Sequence, residues 1–122
     1  MGRRTLGREI LATASAVNNT TIYSDSMKFE TCTGDYAMKV IATAACSYTI
    51  TQQCSDDNLT WYDPTDGNEG AIGAVTSTTT TAVSAWIVPT LAPAPYIRFK
   101  IVNSSAVAGT VTIHFYMQEE TV

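Results

Sequence analysis

Apolar and polar residues alternate along much of this chain, and the alternation is clearest toward its C-terminal end. In APYIRFKIVN, Ile97, Phe99 and Ile101 fall on one face and Arg98 and Lys100 on the other. In GTVTIHFYMQ, Val111, Ile113, Phe115 and Met117 alternate with Thr110, Thr112, His114, Tyr116 and Gln118. A repeat of two is that of a strand with one buried face, so both segments read as half-buried antiparallel strands. Between them, NSSAVAG supplies Asn103, Ser104, Ser105 and Gly109, which suit a hairpin with a longer loop.

The same pattern predicts strands at 35–44, where Tyr36, Met38 and Val40 share a face, at 46–53, and through TTAVSAWIV at 80–88. EILATASAV and TTIYS read as strands separated by Asn18 and Asn19, and MKFETC as one more. No long run shows the i, i+3, i+4, i+7 spacing of a helix, and β-branched residues dominate. About seven to nine short strands separated by turn signals predict an all-β fold, a two-sheet antiparallel β-sandwich of jelly-roll or Greek-key type. VPTLAPAPY, with three of the four prolines, is expected to be a rigid extended crossover. TSTTTTAV reads as a loop running into an edge strand.

Composition narrows the picture. At 122 residues, with 45% hydrophobic and only 15% charged residues, the chain suits one domain built of sheets packed face to face. Net charge is −4, yet Arg3, Arg4 and Arg8 hold three of the seven basic residues at the start of a chain with eleven acids. The division expected is a basic N-terminal arm at 1–10 and a sandwich domain at 11–122. An acidic body argues against a nucleic-acid partner, since phosphate contacts need a basic face. EILATASAV is too short and too alternating for a signal or membrane-spanning segment, so no membrane association is expected. Gly2 suggests a myristoylation signal, but Leu6 stands where a hydroxyl residue is required. The N-x-Ser/Thr sequons at Asn18, Asn19, Asn58 and Asn103 arise readily in so threonine-rich a chain.

Candidate chemistry concentrates in CSDDNLTWYDPTDGNEG, residues 54–70. Asp56, Asp57, Asp63, Asp66 and Glu69 offer oxygen ligands, but their spacing is not that of a calcium loop. Two carboxylates working on a glycosidic bond would need a cleft that raises one pKa, which an exposed turn does not provide. Cys32, Cys46 and Cys54 are widely spaced and, with His114 the single histidine, do not make a zinc set. One disulfide with a leftover thiol, or none, is compatible with them, and without an export signal reduced, mostly buried thiols acting as small hydrophobes are expected. No nucleophile elbow or phosphate-cradling glycine loop is present, so neither an enzyme nor a cofactor is expected.

The stretch has the outline of a hairpin: YTITQQC, then Ser55, Asp56, a few polar residues and Trp61. It resembles the S-x-D-G-x-x-W hairpin of discoidin-like sandwiches and of small β-sandwich virion proteins of tailed phages, with Asp57 or Asn58 at the glycine position. YIRFKIVN followed by GTVTIHFYMQEE is similar to the closing strands of the same sandwiches. The resemblance implies that Ser55 and Asp56 cap the turn while Trp61 anchors it on the sandwich. It implies a virion structural protein made in the host cytoplasm, of the head decoration or cement type, binding the major capsid protein or another virion protein, with a homotrimer favoured. Arg3, Arg4, Leu6, Arg8 and Ile10 would be the docking residues of the arm. The alternative is a carbohydrate-binding or receptor-contacting module using Trp61, Tyr62, Trp86 and Tyr116. For the two tryptophans, packing in the core or at a subunit interface competes with that role.

Overall fold

The computed structural model describes residues 2–16, 21–29, 32–42, 47–64, 74–78, 83–88, 91–103 and 109–121. Nine strands occupy them: β1 Gly2–Ala16, β2 Thr21–Tyr23, β3 Met27–Lys28, β4 Cys32–Ala42, β5 Ser47–Ser55, β6 Ala74–Thr78, β7 Val83–Ile87, β8 Tyr96–Asn103 and β9 Gly109–Thr121. They form two antiparallel sheets. One has the order β1-β9-β4-β7; the other has β2-β8-β5-β6, with β3 also paired to β8.

These pairings are nested. β5 pairs with β6, β4 with β7, β2 and β3 with β8, and β1 with β9, each pair enclosing the one before it in sequence. A long hairpin rolled so that alternate pairs fall in opposite sheets gives this order, with β4–β9 and β5–β8 closing each sheet. That is a jelly roll, the two-sheet architecture expected from the strand pattern.

The facing sides make the core. Met38, Val40 and Ala42 of β4 and Val111, Ile113 and Phe115 of β9 meet Tyr48 and Ile50 of β5 and Ile97, Phe99 and Ile101 of β8, all at most 2% exposed. Full burial of one such large side chain is worth about 1.5–3 kcal/mol. Phe115 sits at the centre of an aromatic group, with ring centroids 5.6 Å from Phe99, 6.4 Å from Phe29 and 6.5 Å from Tyr36.

Two polar devices tie the layers together. The side-chain amide of buried Gln52 donates to the Ala92 carbonyl and accepts from the Ala92 N–H, both at 2.7 Å, so it pairs with the proline-rich crossover as a strand would. From the opposite sheet, the Tyr36 hydroxyl accepts from the Leu91 N–H at 2.9 Å. Between β2 and β3, Ser24 substitutes its side chain in the ladder, its hydroxyl accepting from the Phe99 N–H at 2.9 Å. The Asp25 N–H donates to the Ile10 carbonyl at 2.7 Å, bridging the two sheets.

Residues 2–10, expected to be an arm outside the domain, are instead the first part of β1, in register with β9 from Gly2↔Thr121 onward. A register shift between Glu9 and Leu11 lets consecutive Ile10 and Leu11 both enter the core. β6 occupies Ala74–Thr78, a strand that the threonine-rich composition had suggested only as a loop leading to an edge. The turns expected at Asn18–Asn19 and over 104–108 lie outside the described residues.

Candidate functional site

The hairpin after β5 is built from its own side chains. The Ser55 hydroxyl accepts from the N–H groups of Asn58 at 2.9 Å and Asp57 at 3.3 Å, and donates to the Asp57 carboxylate at 2.9 Å. That carboxylate also accepts from the N–H groups of Leu59 and Thr60, each at 2.8 Å. The capping acid is therefore Asp57 and not Asp56: the chain needs three donors to converge on one oxygen, and only the residue two and three positions before Leu59 and Thr60 reaches them. Those bonds hold the Asp57 carboxyl down, from 3.8 to about 2, chiefly through the Thr60 and Leu59 N–H groups. Asn58 takes the left-handed position with φ 61°. Paired hydrogen bonds of 2.9 Å between Cys54 and Tyr62 then close the loop.

Past the loop the chain lies over the outer face of the second sheet. The Arg98 guanidinium lies 4.2 Å from the Tyr23 ring centroid and 4.6 Å from that of Trp61, a cation held between two aromatic faces. Its Nε donates to the Gln53 side-chain oxygen at 2.8 Å, and the Gln53 amide nitrogen donates to Asp63 at 3.0 Å. Lys100 stands 3.9 Å from the other Asp63 oxygen. Trp61 thus anchors the hairpin on a cation, while its neighbour Tyr62 is exposed.

The outer face of the first sheet is arranged differently. Trp86 of β7 and Tyr116 of β9 stack with centroids 5.2 Å apart and planes 27° apart, and Trp86 is 61% exposed. A cleft of about 420 Å³ beside them is lined by Thr5, Ala37, Gln118 and both rings. The four aromatics suggested by the sequence therefore do not converge. Trp61 and Tyr62 belong to one sheet, and Trp86 and Tyr116 to the other.

A third feature is the rim of the sandwich. β1 ends the first sheet, and its other edge has no strand partner among the described residues. Arg8 is in register with buried Phe115, so it projects from the inner face at the mouth between the sheets. Arg4, Arg8, Lys28 and Glu119 surround a cleft of about 490 Å³ floored by Met27, Phe115 and Met117. Arg4 is bound to Glu119, its Nε donating at 2.7 Å. Arg8 is held more loosely, 3.4 Å from the Ser26 carbonyl and 3.7 Å from Asp25. Arg3 and Leu6 take part through the backbone of β1, opposite Glu120 and Met117, whereas Ile10 is buried.

The remaining candidates are scattered. His114 lies 3.6 Å from Glu9 on the first sheet. Cys54 is a free thiol whose pKa is raised by burial. Among the described residues no three His, Cys, Asp or Glu side chains gather to hold a metal. Asp66, Glu69 and Cys46 lie outside the described residues. Sequence reasoning missed Arg98, Gln53 and Gly7, whose roles depend on which strands become neighbours.

No protein-family model and no curated protein sequence matches the chain. Solved structures do. It is similar to the PBSX exported protein XepA, with TM-score 0.61 and 16% identity over 96% of this chain, although the chain spans only 38% of that protein. It is similar to the CBM22-1–GH10 modules of Clostridium thermocellum endo-1,4-β-D-xylanase 10B, solved with xylohexaose, at TM-score 0.54 and 13% identity, covering 99% of this chain and 27% of that one. Infectious bursal disease virus, Gx strain, gives TM-score 0.54 and 10% identity, covering 100% of this chain and 38% of that one. What these likenesses show is the sandwich. The discoidin part of the sequence resemblance rests on the turn alone.

Proposed function

We propose that this protein is a non-enzymatic virion component, a head decoration or cement protein of a tailed phage that binds and stabilises an assembled shell. The observation that carries the reading is the long edge of β1 that has no strand partner among the described residues, held there only by the Asp25 N–H on the Ile10 carbonyl and flanked at the mouth of the sandwich by Arg4 and Arg8. An unpaired edge offers a row of backbone donors and acceptors to an added strand, and pockets beside it select that strand's side chains. The partner is a strand of the major capsid protein or another virion protein, with an acidic residue facing Arg8. Fold likeness to an exported PBSX protein and to a virus structure supports the class without specifying the partner.

Binding only to the assembled lattice stabilises the shell by mass action, and each attached copy adds to the effect. Three copies about a symmetry axis are the proposed form, because a repeated heterologous contact closes there. Light scattering at several concentrations distinguishes that trimer from a monomer.

The deciding experiment is mass spectrometry and reconstruction of particles assembled from the genome encoding the chain, with native protein and with Arg8→Glu. Native protein in many copies on the shell, with folded Arg8→Glu lost from it, is the expected result. Retention of Arg8→Glu at native copy number would remove the rim of β1 from the mechanism. Absence of the native protein from particles would overturn the virion reading.

A further inference from the structure

The geometry points to a second binding site, for a neutral saccharide chain, on the outer face of the first sheet at Trp86 and Tyr116. A pyranose ring presents a flat array of C–H groups edged by hydroxyls, and it packs best on an exposed aromatic face with amide and hydroxyl groups at the margin. Each element of that complement is present. The two rings lie within 27° of parallel at 5.2 Å, with Trp86 61% exposed. The adjoining cleft of about 420 Å³ carries the hydroxyl of Thr5 and the amide of Gln118 on its wall, joined by a 3.2 Å hydrogen bond that fixes their orientation.

The platform is also seated in advance. Tyr116 lies directly over Gly7, where a Cβ would come within 2.6 Å of the ring. Ala37, in register with Tyr116 on the other side, keeps the floor of the cleft low. Two small residues therefore let a large ring settle close to the sheet. The lining at Thr5, Ala37, Trp86, Tyr116 and Gln118 bears no charge, Lys39 standing in register with Trp86 outside it, and this lining favours an uncharged sugar over a phosphorylated or carboxylated one.

The site uses the outer face of β1 at Thr5 and Gly7, not the backbone edge proposed for the capsid strand, and it is tested on the free protein, so its failure leaves the shell reading standing. The full chain is titrated by calorimetry with xylohexaose, cellohexaose and maltohexaose. At least one should bind, with a dissociation constant on the order of 0.1–1 mM. Trp86→Ala, checked for folding by circular dichroism, should abolish the heat, and Trp61→Ala should not. Gly7→Ala retains both rings but displaces Tyr116, and affinity should fall by about three- to ten-fold. No heat with any of the three sugars would overturn the assignment, as would binding that survives Trp86→Ala. Protection of Trp86 from a fluorescence quencher only in assembled particles, without saccharide binding, would give this face to a protein neighbour instead.

Discussion

Each sheet of the sandwich displays a tryptophan and a tyrosine on its outer face, and the two pairs have opposite surroundings. On the second sheet Arg98 occupies the space between Tyr23 and Trp61, and Gln53 and Asp63 hold the arginine and the folded-back chain in one network. On the first sheet Trp86 and Tyr116 touch each other and open onto a cleft. The same residue types thus fasten a loop in one place and form a surface in the other. What separates the cases is what lies against the rings: the Arg98 guanidinium sits between both rings in the first, whereas in the second the rings stack on each other, with Gly7 and Ala37 beside Tyr116 and Lys39 in register with Trp86.

Arg98 holds the second face more firmly than any other side chain on it. Arg98→Ala removes the cation from both rings and leaves the buried Gln53 oxygen without its donor, so stability should fall by about 2–3 kcal/mol in urea unfolding. Arg98→Lys restores charge but not the planar fork, and should recover only part of the loss. A neutral outcome for Arg98→Ala would mean that the hairpin is anchored by its backbone pairing at Cys54 and Tyr62 alone.

The two tryptophans should differ by less, but in a fixed order. Trp61→Ala loses the cation contact and should cost about 1–2 kcal/mol, whereas exposed Trp86→Ala should stay within about 0.5 kcal/mol of the native protein. Equal costs would make Trp86 a structural residue and weaken the case for a surface site there.

This difference between the faces could not be read from the sequence, although much of the frame could. Ile97, Phe99 and Ile101, like Val111, Ile113 and Phe115, alternate cleanly because their strands sit mid-sheet with one face sealed, and all are buried as that pattern requires. β1 hid its first half because it is an edge strand. Its inward positions Arg4 and Arg8 reach solvent at the rim, so the apolar alternation that marks a strand is missing there. Ser55 was legible as a cap because its role is local, but the choice between Asp56 and Asp57 depended on the backbone path. Trp61 and Trp86 were legible as candidates and not as partners of anything, since only the order of strands brings Arg98 against Trp61 and Tyr116 against Trp86.

The smallest effect is expected at the turn that leads into the locked face, and it is a test of charge. Asp57 is fully exposed, yet its carboxylate accepts from Leu59, Thr60 and Ser55. Those bonds favour the ionised form, so its pKa in the folded protein is about 2, below the 3.8 of a free aspartate. A lowered folded pKa stabilises the turn above the unfolded value, and that contribution is lost as pH falls from about 4 toward 2. Carboxyl carbon shifts followed by NMR should place the Asp57 midpoint near 2, and in Asp57→Asn this step should vanish while the Trp61 resonances stay put. Water screens so exposed a group, and the loss should therefore register in the amides of Leu59 and Thr60 before it reaches global unfolding. A midpoint near 4 would show that Ser55 alone shapes the turn, and that the locked face owes its order to Arg98 and Trp61 without help from the cap.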